Sequence, residues 1–548
     1  MAQQQQNISI TSPGYFGLNL EDSPVDLPQE FCTVADNAVI DSLGRLAARE
    51  GFKAFTPTGL PSAEYDVQSL GRVVDGSTVR YIAGVDVGGT PEIWELTDLN
   101  LSAPTRTVLT LPGGYSLTTA NIQIVDFAGR GIIIVPGAEM LVLSGGTLAL
   151  ASAQAGWLPP TDAGGTAIHT TFSPECATSA YGRLWVSGVE GDEETIYYSD
   201  VLNPAYWLDL KAAPTYATNT AGALNVSENW PIGKDRIVGM AAHNSAFVVF
   251  GRSSILVWGN PQGDPAATDG IFLADTIENI GLVNRDAITS DGKDILFMDD
   301  TGLRSLGRTI QEKSAPIGDL TRTVRSAISS DSRKARIQGG VELVFSPKHS
   351  FILIIMRTAG VVWVADTRTR LQDGSFRMTR WPSTEVSSAL YVEANEQLLL
   401  GLDTADVALA EYEEYVDYNT TYVFSYASPI MSFGDSTRLK IVKQVDYSIL
   451  AGAGDAEATA KVDYFGFRNR ELSKTVSIEG GQGTEQFNSG AEFAEGYEFG
   501  TGAQVLRSYR YNAGSSGENV RISFNVPISG NSCSMVGINV QTKIGRIV

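Results

Sequence analysis

A strand–turn–strand unit recurs seven times between residues 81 and 413 of this 548-residue chain, and that recurrence limits the possible folds more than any other feature. The clearest copy is Tyr181 to Asp200, YGRLWVSGVEGDEETIYYSD. Leu184, Val186 and Gly188 alternate with Arg183, Trp185 and Ser187, the period of two expected of a strand. The charged run Glu190 to Glu194 contains Gly191 and reads as a turn, and Ile196-Tyr197-Tyr198 starts the returning strand. The other copies are Tyr81 to Leu96, Gly131 to Ser144, Ala246 to Gly259, Asp294 to Leu306, Phe351 to Asp366 and Gln397 to Glu413. With Arg183 taken for the clearest copy, starts fall at 81, 131, 183, 246, 294, 351 and 397, at intervals of 46 to 63 residues.

A lone hairpin or four-stranded sheet cannot cover both of its apolar faces. Repeats of roughly 40 to 50 residues with several strands each suit a β-propeller, in which neighbouring blades cover one another and the ring closes. Several runs are apolar on both strand faces, Phe351 to Met356 (FILIIM) among them, as sheets covered on both sides should be. The expected fold is therefore mainly β: an irregular β-propeller of about seven blades, with six as the alternative count, over residues 61–425. A pair of β-sandwiches with coincidental hairpins is the competing fold. The irregular intervals and the lack of a repeated Trp-Asp signature argue against strict WD or kelch repeats.

The flanking segments differ from this body. Residues 1–60 hold short extended runs broken by Pro24 and Pro28, too little for a core of their own, and read as an arm that adds strands to a larger body or to a neighbouring subunit. Beyond the bend at Ala427-Ser428-Pro429 the rhythm changes. Arg438 to Tyr447, Ala458 to Phe467, Asn519 to Pro527 and Ser534 to Ile544 read as strands of a flanking antiparallel β domain over 426–548, and Gly480 to Gly502 as long loops.

Signals for chemistry are few. The net charge is −22, a poor match for a protein that wraps nucleic acid, because phosphate binding needs clustered Lys and Arg. Cys32, Cys176 and Cys533 form no CxxC pair and read as isolated thiols. His169, His243 and His349 lack the spacing of a zinc site and read as surface or hydrogen-bonded core groups. Gly233-Lys234 is not a phosphate loop: Asp235 stands where Ser or Thr is needed, and Glu228 where the leading Gly is needed. The acidic turns at Asp299-Asp300 and Glu190 to Glu194 lack calcium-loop spacing and read as solvated turns. Tyr412, Tyr415, Tyr418 and Tyr422 could stack sugars, but in a β-rich stretch they fit core and interface packing better. No catalytic residue, metal or cofactor is assigned.

The arm carries a more specific text. Gly17, Asn19, Asp22, Ser23, Pro24, Asp26, Leu27 and Pro28 form G-x-N-x-x-D-S-P-x-D-L-P. Asp36, Asn37, Asp41, Gly44, Leu46, Arg49, Gly51 and Phe52 form D-N-x-x-x-D-x-x-G-x-L-x-x-R-x-G-F. This opening resembles the start of the tail nozzle and tail tubular (stabilisation) proteins of short-tailed bacteriophages. The segments GRLWVSG, TIYYSD and NPAYW, and later WVADTRTR, DGSF and RW, resemble stretches of the same proteins. The resemblance implies a virion structural protein without enzyme activity, located in the tail. It implies a homo-hexameric ring, propellers outward and flanking β domains near the channel, that extends the DNA ejection channel. The implied partners are further copies of the chain, the tail adaptor or another portal-proximal tail protein, tail fibres, a host surface, and genomic DNA passing without sequence-specific binding. The acidity suggests either walls that repel the duplex or a charge that keeps a large assembly soluble. The rival readings are a propeller lectin or receptor-binding tail protein, and a glycan depolymerase.

Overall fold

The computed structural model describes residues 5–547 apart from 55–64, 98–104, 163–164, 208–219, 232, 264–269, 313–318, 339, 358, 405–408, 413–414, 419, 434–437, 453–454, 467–468 and 480–504. The loops expected at Gly480 to Gly502 lie outside the described residues. The chain is mainly β, with 58% strand and 6% helix.

Each of the seven hairpins is present, and each forms the second and third strands of a successive antiparallel group. Thr78–Val87 and Thr90–Thr97 lie between Tyr65–Asp75 and Thr105–Val108 in the first group. Arg130–Ile134 and Leu141–Ser144 are flanked by Gln123–Phe127 and Thr147–Leu150 in the second. Arg183–Val189 and Asp192–Tyr198 sit between Cys176–Ala180 and Gly222–Asn225 in the third. In the fourth, Ala246–Gly251 and Ser254–Gly259 sit between Ile237–His243 and Phe272–Glu278. The fifth has three strands, Ile288–Ser290, Ile295–Met298 and Leu303–Ser305, and continues as helices Leu306–Glu312 and Arg325–Gln338. The sixth runs Val341–Ser346, Phe351–Met356, Val361–Arg370 and Phe376–Pro382. The seventh runs Val386–Val392, Gln397–Thr404 and Leu409–Tyr412, and its outer strand, Phe52–Ala54, comes from the arm, with Ala54 opposite Ala410 and Phe52 opposite Tyr412.

The groups pack in sequence order, most through separate apolar clusters, while the fourth, fifth and sixth share one large cluster with the C-terminal sheets. Val73, Ile82, Ile133 and Leu141 join the first and second groups. Ile132, Val142, Leu184 and Val186 join the second and third. Trp185 and Phe247, stacked at 4.1 Å, head the cluster between the third and fourth. Leu353, Ile355, Trp381, Leu398 and Leu400 join the sixth and seventh, and Val67, Trp94, Val392 and Leu399 join the seventh back to the first. The first strands follow the same circuit: Tyr65–Asp75 touches Gln123–Phe127 on one side and Val386–Val392 on the other. The seventh group also bonds to the first directly, Asp403 opposite Asp66. Six consecutive buried residues in Phe351–Met356 and seven in Arg183–Val189 follow from this arrangement, since both faces of those sheets are covered.

The helix Arg325–Gln338 has no counterpart in the sequence reading. Its buried residues, Ile328, Ser329, Ser332 and Ala335 after Val324, include three small ones, and most of the rest is Ser, Arg, Lys and Asp. So narrow a stripe gives almost no helical periodicity to read.

The C-terminal strands build two facing sheets. Arg438–Ala451 pairs with Val505–Gly517 and Cys533–Ile547 in one. Asn519–Ile528 pairs with Ala456–Phe465 and Tyr422–Ala427 in the other, and Arg470–Ile478 extends it. Tyr447 of one sheet stacks on Phe524 of the other at 4.7 Å, inside a core with Val445, Ile449, Val462 and Ile522.

Candidate functional site: the arm junction and the meeting point of the first strands

The arm pairs with the sixth and seventh groups and with both C-terminal sheets. Gln5–Thr11 lies along Cys533–Ile547, from Gln5 opposite Lys543 to Thr11 opposite Gly537. The hairpin Ala38–Ile40/Leu46–Ala48 reaches the same strand at Ser534. Val34–Asp36 is inserted between Phe376–Pro382 of the sixth group and Tyr422–Ala427, which merges them into one sheet of nine strands.

The motif residues hold this path. Gly17 has φ +76, and a Cβ there would stand 2.7 Å from the Met378 carbonyl oxygen, so only glycine lets the arm lie on the sixth group. Asn19 is buried. Its Oδ1 accepts the N–H groups of Glu21 and Asp22 at 3.1 Å and its amide donates to Asp22 at 2.9 Å, which fixes the turn before Pro24. The Pro24 carbonyl accepts Ile430 N–H at 2.8 Å, and Asp26 closes an exposed turn onto the Ser23 carbonyl at 3.0 Å. Asp36 pairs with Arg380 at 2.8 Å. Gly44, at φ +79, lies against the Tyr15 ring, where a Cβ would approach to 2.9 Å. A Cβ on Gly51 would collide with the Val416 carbonyl at 2.2 Å.

Arg49 is the centre of the junction and is 1% exposed. Its guanidinium makes a fork on Asp417, with Nη1 to Oδ1 at 2.9 Å, and donates Nε to Asn37 Oδ1 at 3.0 Å and Nη1 to the Glu50 carbonyl at 2.9 Å. The Phe52 and Tyr422 rings lie over it at 4.2 and 4.1 Å. Asn37 sits at φ +50 and donates its own amide to the Val423 carbonyl at 2.9 Å. Asp36, Asn37, Arg49 and Gly51 therefore meet around one point, Gly17 and Gly44 clear its approaches, and Asn19, Asp22, Pro24 and Asp26 shape the turn that precedes it. All ten act on chain path and packing. Tyr412 and Tyr422 are buried beside them, and Tyr418 packs on Phe52 at 5.9 Å.

A second cluster lies where the first strands meet. Asn121, Glu175, Ile237, Arg285 and Gly340, at or just ahead of the first strands of groups two to six, line a cavity of about 320 Å³. Arg285 bridges three groups there: Nη2 donates to the Asn121 carbonyl at 2.7 Å, Nη1 to the Glu175 carbonyl at 3.1 Å, and Nε to Asp286 at 3.3 Å. Nearby, Arg357 donates to Glu342 at 2.7 Å, to Asp286 at 3.5 Å and to the Ser387 carbonyl at 2.8 Å. Ser387 in turn donates to Asp66 at 3.2 Å and to the Val67 carbonyl at 2.7 Å. Sequence reading missed this network, since each member is a single charge in unremarked text and the circuit of sheets alone brings them together.

Burial pushes the Glu342 carboxyl up to about 7 from 4.5, with Asp286 adding to the rise and Arg357 opposing it. Burial raises Asp66 as well. A folded-state value above the unfolded one means that the native protein keeps a proton the unfolded chain releases. This contribution favours folding fully below pH 4.5 and is lost as pH rises to about 7. Glu342→Gln should remove that slope. Urea unfolding of both proteins between those limits should show the wild type losing up to ~3 kcal/mol against the variant, and parallel curves would refute the assignment.

The remaining candidates hold local structure. His169 shares a hydrogen bond with Tyr197 at 2.9 Å, and His349 one with Ser346 at 2.8 Å. His243 lies 3.9 Å from Asp294. Asp299 accepts Thr301 and Gly302 N–H groups at 2.7 and 2.8 Å and pairs with Arg304. The cysteines are buried, and burial raises the thiols of Cys176 and Cys533 to about 12.

No family model matches the chain, and no curated protein matches it. Among solved structures it is similar to PorZ, an essential surface component of the type-IX secretion system of Porphyromonas gingivalis. The identity is 9%, the TM-score 0.35, and the match covers 64% of this chain and 37% of PorZ. It is also similar to a putative 6-phosphogluconolactonase from Bacteroides fragilis, at 11% identity and a TM-score of 0.32, over 63% of this chain and 90% of that one. The chain thus spans little more than a third of PorZ.

Proposed function

We propose that this chain is a structural protein of a short phage tail, a nozzle subunit that extends the DNA channel, and that its seven strand groups are the blades of a β-propeller. The propeller reading is supported by the circuit of first strands and by the clusters that run from group to group and back to the first. The missing strand of the last blade comes from the arm, so one sheet holds both early and late parts of the body. The nozzle reading rests on one observation: the arm residues that resemble the tail proteins are those that set the path of the arm between body and C-terminal domain. Asp36, Asn37, Arg49 and Gly51 would then mark a shared architecture.

The charge is unevenly placed. Residues 61–425 hold 25 basic and 43 acidic residues, whereas 426–548 hold 12 of each. In the arrangement that the resemblance implies, the β domain near the channel carries no net charge. This favours solubility as the role of the acidity. A neutral wall lets a duplex pass simply because it offers no net positive charge to hold phosphate. Electron cryomicroscopy of the particle is the test. Six copies around the tail vertex are expected, with the neutral domain inward; copies spread over the capsid, or none on the particle, would overturn the reading.

A further inference from the structure

We propose that a cavity beside Phe16 and Phe31 binds a neutral, hydroxyl-rich ligand, a single hexose unit of a glycan. The cavity has a volume of about 340 Å³, within the range of small-molecule sites and near its lower end. It lies where the turn after Gly17–Leu18 meets the entry to the long helix and the loop at Leu371 to Asp373. Phe16 and Phe31 are half-buried, with ring centroids 5.2 Å apart, and Pro28 and Leu371 extend the apolar wall. Such a wall suits the C–H face of a sugar ring.

The polar groups decide the ligand class. Glu21 is committed to the helix entry, where its Oε2 accepts the Ser326 hydroxyl at 2.8 Å and its Oε1 the Ser326 N–H. Asp373 Oδ1 accepts Ser375 N–H and Oγ at 3.0 and 2.6 Å, and its Oδ2 faces Arg322 Nη1 at 3.4 Å. Asp22 Oδ2 accepts the Asn19 amide at 2.9 Å. Three carboxylates against one guanidinium make the cavity hostile to phosphate or sulfate, and the commitments of Glu21 and Asp373 leave a poor cage for a cation. A carboxylate, an amide at Gln372 and a guanidinium at Arg322 together offer both acceptors and donors, a set that the hydroxyls of a neutral sugar satisfy. The site is built from residues of one chain and does not depend on the nozzle reading.

The test is saturation-transfer NMR on the full chain with the methyl glycosides of glucose, galactose, mannose and N-acetylglucosamine, and with inorganic phosphate as the comparison probe. Transfer from at least one hexoside, and none from phosphate, is expected. Asp22→Ala and Gln372→Ala should each weaken binding about tenfold or more at an unchanged melting temperature. Gln372 is exposed and keeps the test open if the Asp22 variant disturbs its turn. No transfer from any hexoside, transfer that survives both substitutions, or phosphate binding in place of sugar would overturn the proposal.

Discussion

A chain lacking residues 1–54 should fail to reach a native fold. The truncation removes the outer strand of the seventh group, the strand that merges the sixth group with Tyr422–Ala427, and both pairings to Cys533–Ile547. It also uncovers the partners of Leu18, Ile40, Leu46 and Phe52, each at most 4% exposed. At ~1.5–3 kcal/mol for each large side chain, the lost burial alone is on the order of the whole ~5–15 kcal/mol that holds a typical domain together. Four edges of unpaired N–H and C=O groups would be left, on Leu409–Tyr412, Phe376–Pro382, Tyr422–Ala427 and Cys533–Ile547, which favours aggregation. Expression trials, circular dichroism and size exclusion would check this. A soluble truncated chain that unfolds cooperatively within a few degrees of the full protein would show that the arm is dispensable.

The largest effect of a single substitution should come from Arg49→Ala. It leaves Asp417 without its partner in a nearly enclosed site, strips Asn37 Oδ1 and the Glu50 carbonyl of a donor, and opens a gap between the Phe52 and Tyr422 rings. Breaking a buried pair in this way costs about 3–5 kcal/mol, because the remaining charge is uncompensated. Arg49→Lys keeps the charge and loses the fork, so it should recover less than half of that. Asp417→Asn paired with Arg49→Ala should cost less than the two single changes added together. Urea titrations of the wild type and the four variants would measure all three quantities, and an Arg49→Ala protein within 1 kcal/mol of wild type, below the typical size of the effect, would remove Arg49 from the centre of the junction.

Much of this fold is legible because sheets buried on both faces write themselves as apolar runs. Phe351 to Met356 and Ala246 to Gly251 are such runs, and the hairpins they open are all present. The outer strands are hidden for the converse reason: Thr105–Val108 and Phe272–Glu278 are exposed or half-buried except at Ile277 and carry no alternation worth reading. The fifth group's helix was hidden by its small buried residues. In the arm the text is local. Gly17, Asn37 and Gly51 record backbone turns and close approaches, so their importance was visible, but the surfaces they approach, Met378, Val423 and Val416, are over 350 residues away in sequence. The charged network at Arg285 and Arg357 left no trace, since nothing in the neighbourhood of either residue predicts a partner in another sheet.

The long reach of the arm also orders events in time. During synthesis the first 54 residues emerge before any strand outside the arm that they pair with, and Cys533–Ile547, the partner of Gln5–Thr11, emerges after the other strands. At ~5–20 residues per second the arm waits roughly 25 to 100 s without its sheet. Meanwhile the second, third and fourth groups, whose strands pair only with near neighbours in sequence, can form. The final closure is then a late, non-local step, whose rate is set by how fast a tethered peptide finds four edges at once. Gln5–Thr11 itself, QQNISIT, carries neither charge nor proline to guard it while it waits. Misassembly of this protein should therefore begin at its first strand and between nascent chains, long before the finished molecule meets any partner.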